Sequence, residues 1–87
     1  MTIKPLTSQQ IRAARALLRW RAQDLASASA VGVATIRRAE LVERETSMTA
    51  PNDLAVRRAL ESAGVEFIDE NGGGAGVRLA KRRAKKS

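Results

Sequence analysis

Residues 22–41 read AQDLASASAVGVATIRRAEL, and the assignment of the whole chain turns on where this stretch is broken. Leu25, Ala26 and Ser29 fall on one side of a helix over 22–29. Ile36 and Ala39 fall on one side of a second helix that begins at Val33 and runs to about 41. Between them, Ala30-Val31-Gly32 reads as a turn, with Gly32 able to adopt the backbone angles a sharp reversal needs. Two short helices joined by about three residues make a helix-turn-helix unit. A small side chain where the helices cross, here Ala26, lets the backbones approach, and Leu25, Val31, Ile36 and Ala39 supply the apolar side.

Upstream, Thr7 and Gln10 match the T-x-x-Q capping box. Ile11, Ala14, Leu17 and Leu18 then recur at helical spacing, with Arg12, Arg15 and Arg19 on the other face, which predicts a first helix over 8–19. No Gly or Pro separates Leu18 from Leu25, so periodicity alone also permits one continuous helix from 8 to 29. Residues 1–6 read as a flexible lead-in.

Downstream, the turn formers of 44–51 predict a loop. A fourth helix is expected over 51–63, with Pro51 or Asn52 near its start and Gly64 as its stop. Its apolar stripe is Leu54, Val56 or the stem of Arg57, and Leu60. The period then changes. Val65-Glu66-Phe67-Ile68 and Val77-Arg78-Leu79 flank a Gly-rich turn over 71–76, a β-hairpin signal within 65–80. The run NGGGAG lacks the G-x-x-x-x-G-K-[ST] order of a phosphate loop and precedes no helix. The expectation is one mostly α domain over 7–80, followed by a disordered basic tail at 81–87.

Composition narrows the function classes. The chain has 87 residues, 44% hydrophobic and 29% charged, which suits one folded domain with a small core. Trp20 and Phe67 are the only aromatics, so the core is expected to be Ala, Leu, Val and Ile. The absence of cysteine excludes a disulfide scaffold and a cysteine-ligated zinc site. The absence of histidine removes the commonest general base and metal ligand. Asp24, Glu40, Glu43 and Glu45 are spread over helix surfaces with no base beside them, so neither an enzyme nor a bound cofactor or metal is expected. No apolar run approaches the roughly 20 residues of a membrane span, and Met1 to Thr7 lacks the apolar core of a signal peptide. A cytoplasmic protein is therefore expected. The net charge is +7 and the pI near 11.3. Lys81, Arg82, Arg83, Lys85 and Lys86 carry five of those charges, so the arrangement of cations, not the pI, has to identify the partner.

The spacing of 22–41 resembles the helix-turn-helix of the Cro and lambda-repressor-like (Xre-type) transcriptional regulators. Leu17-Leu18-Arg19-Trp20 resembles the LLGW segment that ends the first helix of many small members, and Ala34-Thr35-Ile36-Arg37-Arg38-Ala39-Glu40 resembles their ATIRRFE recognition helix. The run RRALESAGVEFIDENGGGAGVRLAK over 57–81 resembles a subgroup in which RRALEAAGVEFI and a Gly-rich hairpin follow the DNA-binding helices. The resemblance implies a four-helix lambda-repressor-like DNA-binding domain with a C-terminal β-hairpin. It also implies a homodimeric regulator that reads a palindromic double-stranded DNA operator. The chain departs from that pattern at four places: Arg21-Ala22 replaces Ser-Gln, Ala30 replaces the turn glycine, Gly32 replaces the capping serine, and Ala39 replaces a large aromatic and leaves a gap to fill.

With Ile36 at the centre of the buried face, Ala34 and Arg38 point away, and Arg37 and Leu41 lie to one side of the outward face. Val33, Ala34, Arg37 and Arg38 are therefore expected to face the major groove. A bidentate arginine on guanine O6 and N7 is worth roughly 1–3 kcal/mol of discrimination, and Val33 and Ala34 suit thymine methyls. The bland alternative is a pair of solvated surface arginines. Arg21, Gln23 and Thr35 are candidate phosphate contacts, Arg21 because a helix N-terminus of this motif faces a phosphate. Arg12, Arg15 and Arg19 are weaker candidates, with ordinary solvent-facing charges as the alternative for Arg12 and Arg15. The tail either adds non-specific phosphate contacts or serves as a solubilising segment. Val65 and Phe67, with Val77 and Leu79, are expected to pack on the helices, and Ile68 points to the opposite face. Phe67, Ile68, Val77 and Leu79 are the candidate dimerisation residues, with the fourth helix as the competing surface. Two further function classes stand beside the regulator. One is an antitoxin or other protein-interaction module that also binds its own operator. The other is a basic RNA or membrane binder, for which only Phe67 is available as a stacking aromatic.

Overall fold

Arg19 decides between one long helix and two. It sits at φ 58°, ψ 39°, in the left-handed region, which no continuing helix visits. Its N–H donates to the Ala16 carbonyl at 3.1 Å, and the Trp20 N–H reaches back to the Arg15 carbonyl at 2.8 Å. This paired closure is the Schellman arrangement that ends a helix, here with arginine where glycine is usual.

The computed structural model describes residues 5–42, 46, 48–68 and 73–80. It contains α1 (Ser8–Leu18), α2 (Ala22–Ser29), α3 (Val33–Leu41), α4 (Ala50–Ser62), β1 (Val65–Ile68) and β2 (Gly76–Leu79). The fold is mostly helical with a two-stranded antiparallel hairpin. The basic tail at 81–87, Glu43 and Glu45, and the Asn71-Gly72 half of the Gly-rich turn lie outside the described residues, as do residues 1–4 of the lead-in. Among the described residues, no helix is long and apolar enough to cross a membrane.

The capping box at the start of α1 is formed in both directions. The Gln10 N–H donates to Thr7 Oγ1 at 3.1 Å, and the Thr7 N–H donates to Gln10 Oε1 at 3.0 Å. Gln10 is also buried, and its Nε2 donates to the Gly76 carbonyl at 3.1 Å. One side chain thus caps α1 and clips the hairpin to it.

The turn between α2 and α3 does not use its glycine as the sequence suggests. Gly32 has φ −58° and ψ 142°, angles open to any residue. The left-handed residue is Ala30, at φ 62° and ψ 22°. Gly32 instead stands at the N-cap just before α3, and Val31 is buried between the two.

Leu6, Ile11, Ala14, Leu25, Val31, Ile36, Ala39, Val56, Leu60 and Val65 form the core, with Trp20 and Phe67 packed against it. Leu6 corrects the reading of 1–6 as a loose lead-in: it is fully buried, and its N–H donates to Asp53 Oδ1 at 3.0 Å. Leu17 and Leu54, assigned to apolar stripes, are exposed; Leu54 lies away from Val56 and Leu60, the buried residues of α4. Helix α4 begins one residue earlier than expected because Thr49 caps it, accepting the Asn52 N–H at 3.3 Å, with Pro51 in the first turn. Gly64 follows α4 at φ 108°. In the hairpin, Val65 opposes Leu79 and Phe67 opposes Val77, so these four share one face, and Ile68 opposes Gly76 on the other. Val65 is buried and Phe67 and Val77 half-buried, but Leu79 stays half exposed at the strand end.

Left-handed backbone costs a non-glycine residue roughly 1–2 kcal/mol, against roughly 0.5–1 kcal/mol of added unfolded-state freedom for glycine. Ala30→Gly and Arg19→Gly are each expected to stabilise the domain by about 0.5–1 kcal/mol. Urea unfolding checks this, and a lower midpoint for both variants contradicts the assigned backbone angles.

Candidate nucleic-acid interface

Helix α3 has two unlike sides. Ile36 and Ala39 are 1% exposed and Glu40 is 8% exposed. On the opposite side Ala34, Arg37, Arg38 and Leu41 face solvent, Leu41 at 83%. The period of 3.6 residues places these four on one stripe.

Glu40 is not the surface carboxylate that the sequence suggests. It accepts Arg15 Nε at 2.7 Å on one oxygen and Arg15 Nη2 at 2.7 Å on the other. The third arginine nitrogen, Nη1, donates to the Trp20 carbonyl at 2.8 Å. Arg15 therefore joins the end of α1, the chain reversal after it and the last turn of α3. The hydrogen bond to Glu40 raises the Arg15 pKa against the opposing pull of burial, so the guanidinium stays charged throughout the accessible range. The Arg12 guanidinium donates to the Glu40 carbonyl and the Ser8 hydroxyl to the Val42 carbonyl. Carbonyls at the end of α3, which lack partners within the helix, are thus closed by α1 side chains, with cations at the negative end of the helix dipole. Arg15 is held by Glu40 and is not an idle solvent-facing charge, while Arg12 is exposed with one guanidinium nitrogen on the Glu40 carbonyl.

The other end of α3 is open. Gly32 offers no side-chain cap, and a Cβ added there would meet only Thr35 Oγ1, at 4.0 Å. Val33 and Thr35 are half-buried beside this first turn. Arg21 and Gln23 are exposed at the start of α2, where the Arg21 N–H donates to Asp24 Oδ2 at 2.8 Å. The Asp24 carboxylate thus closes the first turn of α2, and Arg21 stays exposed.

The arginines divide by use. Arg15 is committed to Glu40, Arg57 lies 5.0 Å from the Phe67 ring centroid and 3.9 Å from Glu61, and Arg78 pairs with Glu66 at 2.8 Å. Among the described residues, Arg21, Arg37 and Arg38 enter no ion pair. The candidate residues Ala34, Arg37 and Arg38 therefore share one accessible face, with Val33 and Thr35 at its half-buried margin. The four hairpin residues proposed for dimerisation do not form a single patch. Phe67 and Val77 turn toward the core, Leu79 is exposed on their face, and Ile68 is exposed on the other. Sequence reasoning missed Glu40 as a buried anchor. Its signal was an acid beside Ala39 on the Ile36 face, facing arginines of the first helix.

The chain matches no protein-family model and no curated protein.

Removing one partner of a shielded bidentate pair strands the other charge. Glu40→Ala and Arg15→Ala are each expected to cost about 2 kcal/mol in urea unfolding, less than the 3–5 kcal/mol of a fully buried pair because Arg15 is partly solvated. Arg15→Lys should recover little of this, since a point donor cannot hold both Glu40 oxygens and the Trp20 carbonyl. Near-normal stability of Arg15→Lys would show that the fork geometry is unimportant.

Proposed function

We propose that this chain is a sequence-specific double-stranded DNA-binding transcriptional regulator, similar to the Cro and lambda-repressor-like group, with α3 as its major-groove reader. The observation that carries the reading is the division of α3. One side is fixed by Ile36, Ala39 and the Arg15–Glu40 bond, and the other offers Arg37 and Arg38, exposed and in no ion pair among the described residues, beside Ala34. An arginine fork that enters no ion pair among the described residues suits guanine O6 and N7, and Val33 and Ala34 suit thymine methyls at the first turn. Arg21 and Gln23 at the start of α2, with Thr35, are the proposed phosphate contacts, positioning the helix without reading sequence.

The regulator is further proposed to act as a homodimer on a palindromic operator, with half-sites one helical turn apart. Ile68 and Leu79 are exposed apolar residues on a hairpin that pairs with no third strand among the described residues. Leu79 and Leu17 also border an open groove of about 530 Å³ floored by Leu18, Ala63 and Gly64, a second place where a protein partner fits.

Selection from a randomised duplex library tests the reading, and the recovered duplex then serves for variants. Arg37→Ala and Arg38→Ala should each weaken binding by about 1–3 kcal/mol and relax base preference at one position. Arg21→Ala should weaken all duplexes alike and reduce the salt slope by about 1. Unchanged affinity of Arg38→Ala for the selected duplex removes that residue from base reading. Sedimentation at micromolar concentration should show a dimer for the native chain and a monomer for Ile68→Lys; a native monomer contradicts the dimeric half of the proposal.

A further inference from the structure

Leu41 is 83% exposed, the most exposed large apolar side chain among the described residues. Among the described residues it is not one of those packed on the core. A lone surface leucine is unremarkable in itself, but this one continues a stripe. Ala34, Arg37, Arg38 and Leu41 follow at the spacing of one helix face, and all four are solvent-facing. Leu41 lies seven positions after Ala34, a rise of roughly 10 Å, or about three base-pair steps of 3.4 Å. The stripe is thus an aliphatic group at each end with two guanidinium groups between.

The chemistry of that stripe is selective by what it contains. In the major groove, carboxamides pair with adenine, carboxylates accept from the cytosine amino group, arginine pairs with guanine, and aliphatic groups contact the C5 methyl of thymine. The outward stripe of α3 carries no carboxamide and no carboxylate, since Glu40 is turned inward onto Arg15. Guanine edges and pyrimidine methyls are the only major-groove features it is equipped to read.

Resting on the DNA-binding reading above, we propose that Leu41 is a specificity-determining residue that reads a thymine C5 methyl about three base pairs from the one met by Ala34. Affinity for the operator then depends on the thymine methyls themselves, not only on hydrogen bonds to guanine. Replacing thymine by uracil removes the methyl and leaves every hydrogen-bonding group of the base unchanged, so it isolates this contact.

The test uses the full chain and a duplex selected from a randomised library, prepared with thymidine and, separately, with deoxyuridine at each thymine in turn. Removal of the contacted methyl is expected to weaken binding about fourfold, the equivalent of one buried methyl group. One thymine should lose its methyl sensitivity in Leu41→Ala while guanine dependence persists. The urea midpoint of this surface variant should match the native protein. Equal binding of thymine and uracil duplexes by the native chain overturns the proposal and leaves DNA binding standing. So does methyl sensitivity that survives intact at every position in Leu41→Ala. Failure to enrich any duplex removes the DNA-binding reading and this proposal together.

Discussion

A single guanidinium, that of Arg15, fixes the attitude of α3. It spends its hydrogen bonds on two oxygens of Glu40 and on the Trp20 carbonyl, all at 2.7–2.8 Å. The bond is directional as well as electrostatic, because planar fork and planar carboxylate must lie nearly coplanar. A purely apolar contact between α1 and α3 would tolerate rotation of one helix against the other. This one does not. Ala39, buried beside Glu40, is too small to lock the helix by shape alone. Arg12 and Ser8 add two more bonds from α1 to the last carbonyls of the helix and its exit.

The two ends of α3 are consequently unequal. Its C-terminal turn is tied to α1 by three side chains, while its N-terminal turn starts at an uncapped, exposed glycine. Just before it, Ala30 holds a left-handed conformation that glycine would adopt more readily. The chain accepts local strain at Arg19 and Ala30, the two reversals that separate α1, α2 and α3. Both are held by what surrounds them: the Schellman bonds at Arg19, and the buried Val31 with the Ala30 N–H to Ala26 carbonyl bond at 2.8 Å. In the proposed mechanism, a firmly seated helix with an open leading turn offers its outer face and first N–H groups to a duplex together.

Much of this architecture is legible in the residues. The spacing of Leu25, Ile36 and Ala39, the Thr7–Gln10 box, Gly64 and the alternation at Val65 to Ile68 mark four helices and a hairpin, because each reports a local constraint. The break at Arg19 is not legible from periodicity, since arginine carries no turn signal and the left-handed backbone is imposed by the packing of the helices on either side. Leu6 is buried where its N–H meets Asp53, 47 residues away, a contact that no local pattern encodes. The outward positions Ala34, Arg37 and Arg38 follow from helical geometry once Ile36 is placed inside. The inward turn of Glu40 does not, because a charged residue is buried only when its partner is supplied, and that partner comes from another helix.

The central claim is that α3, braced by α1, presents its free face to duplex DNA. Backbone amide chemical shifts recorded as a selected duplex is added test it residue by residue. The account predicts the largest changes over residues 32–41 and at the start of α2, with small changes across α4 and the hairpin faces. Shifts concentrated on α4 or the hairpin while α3 stays silent would contradict it.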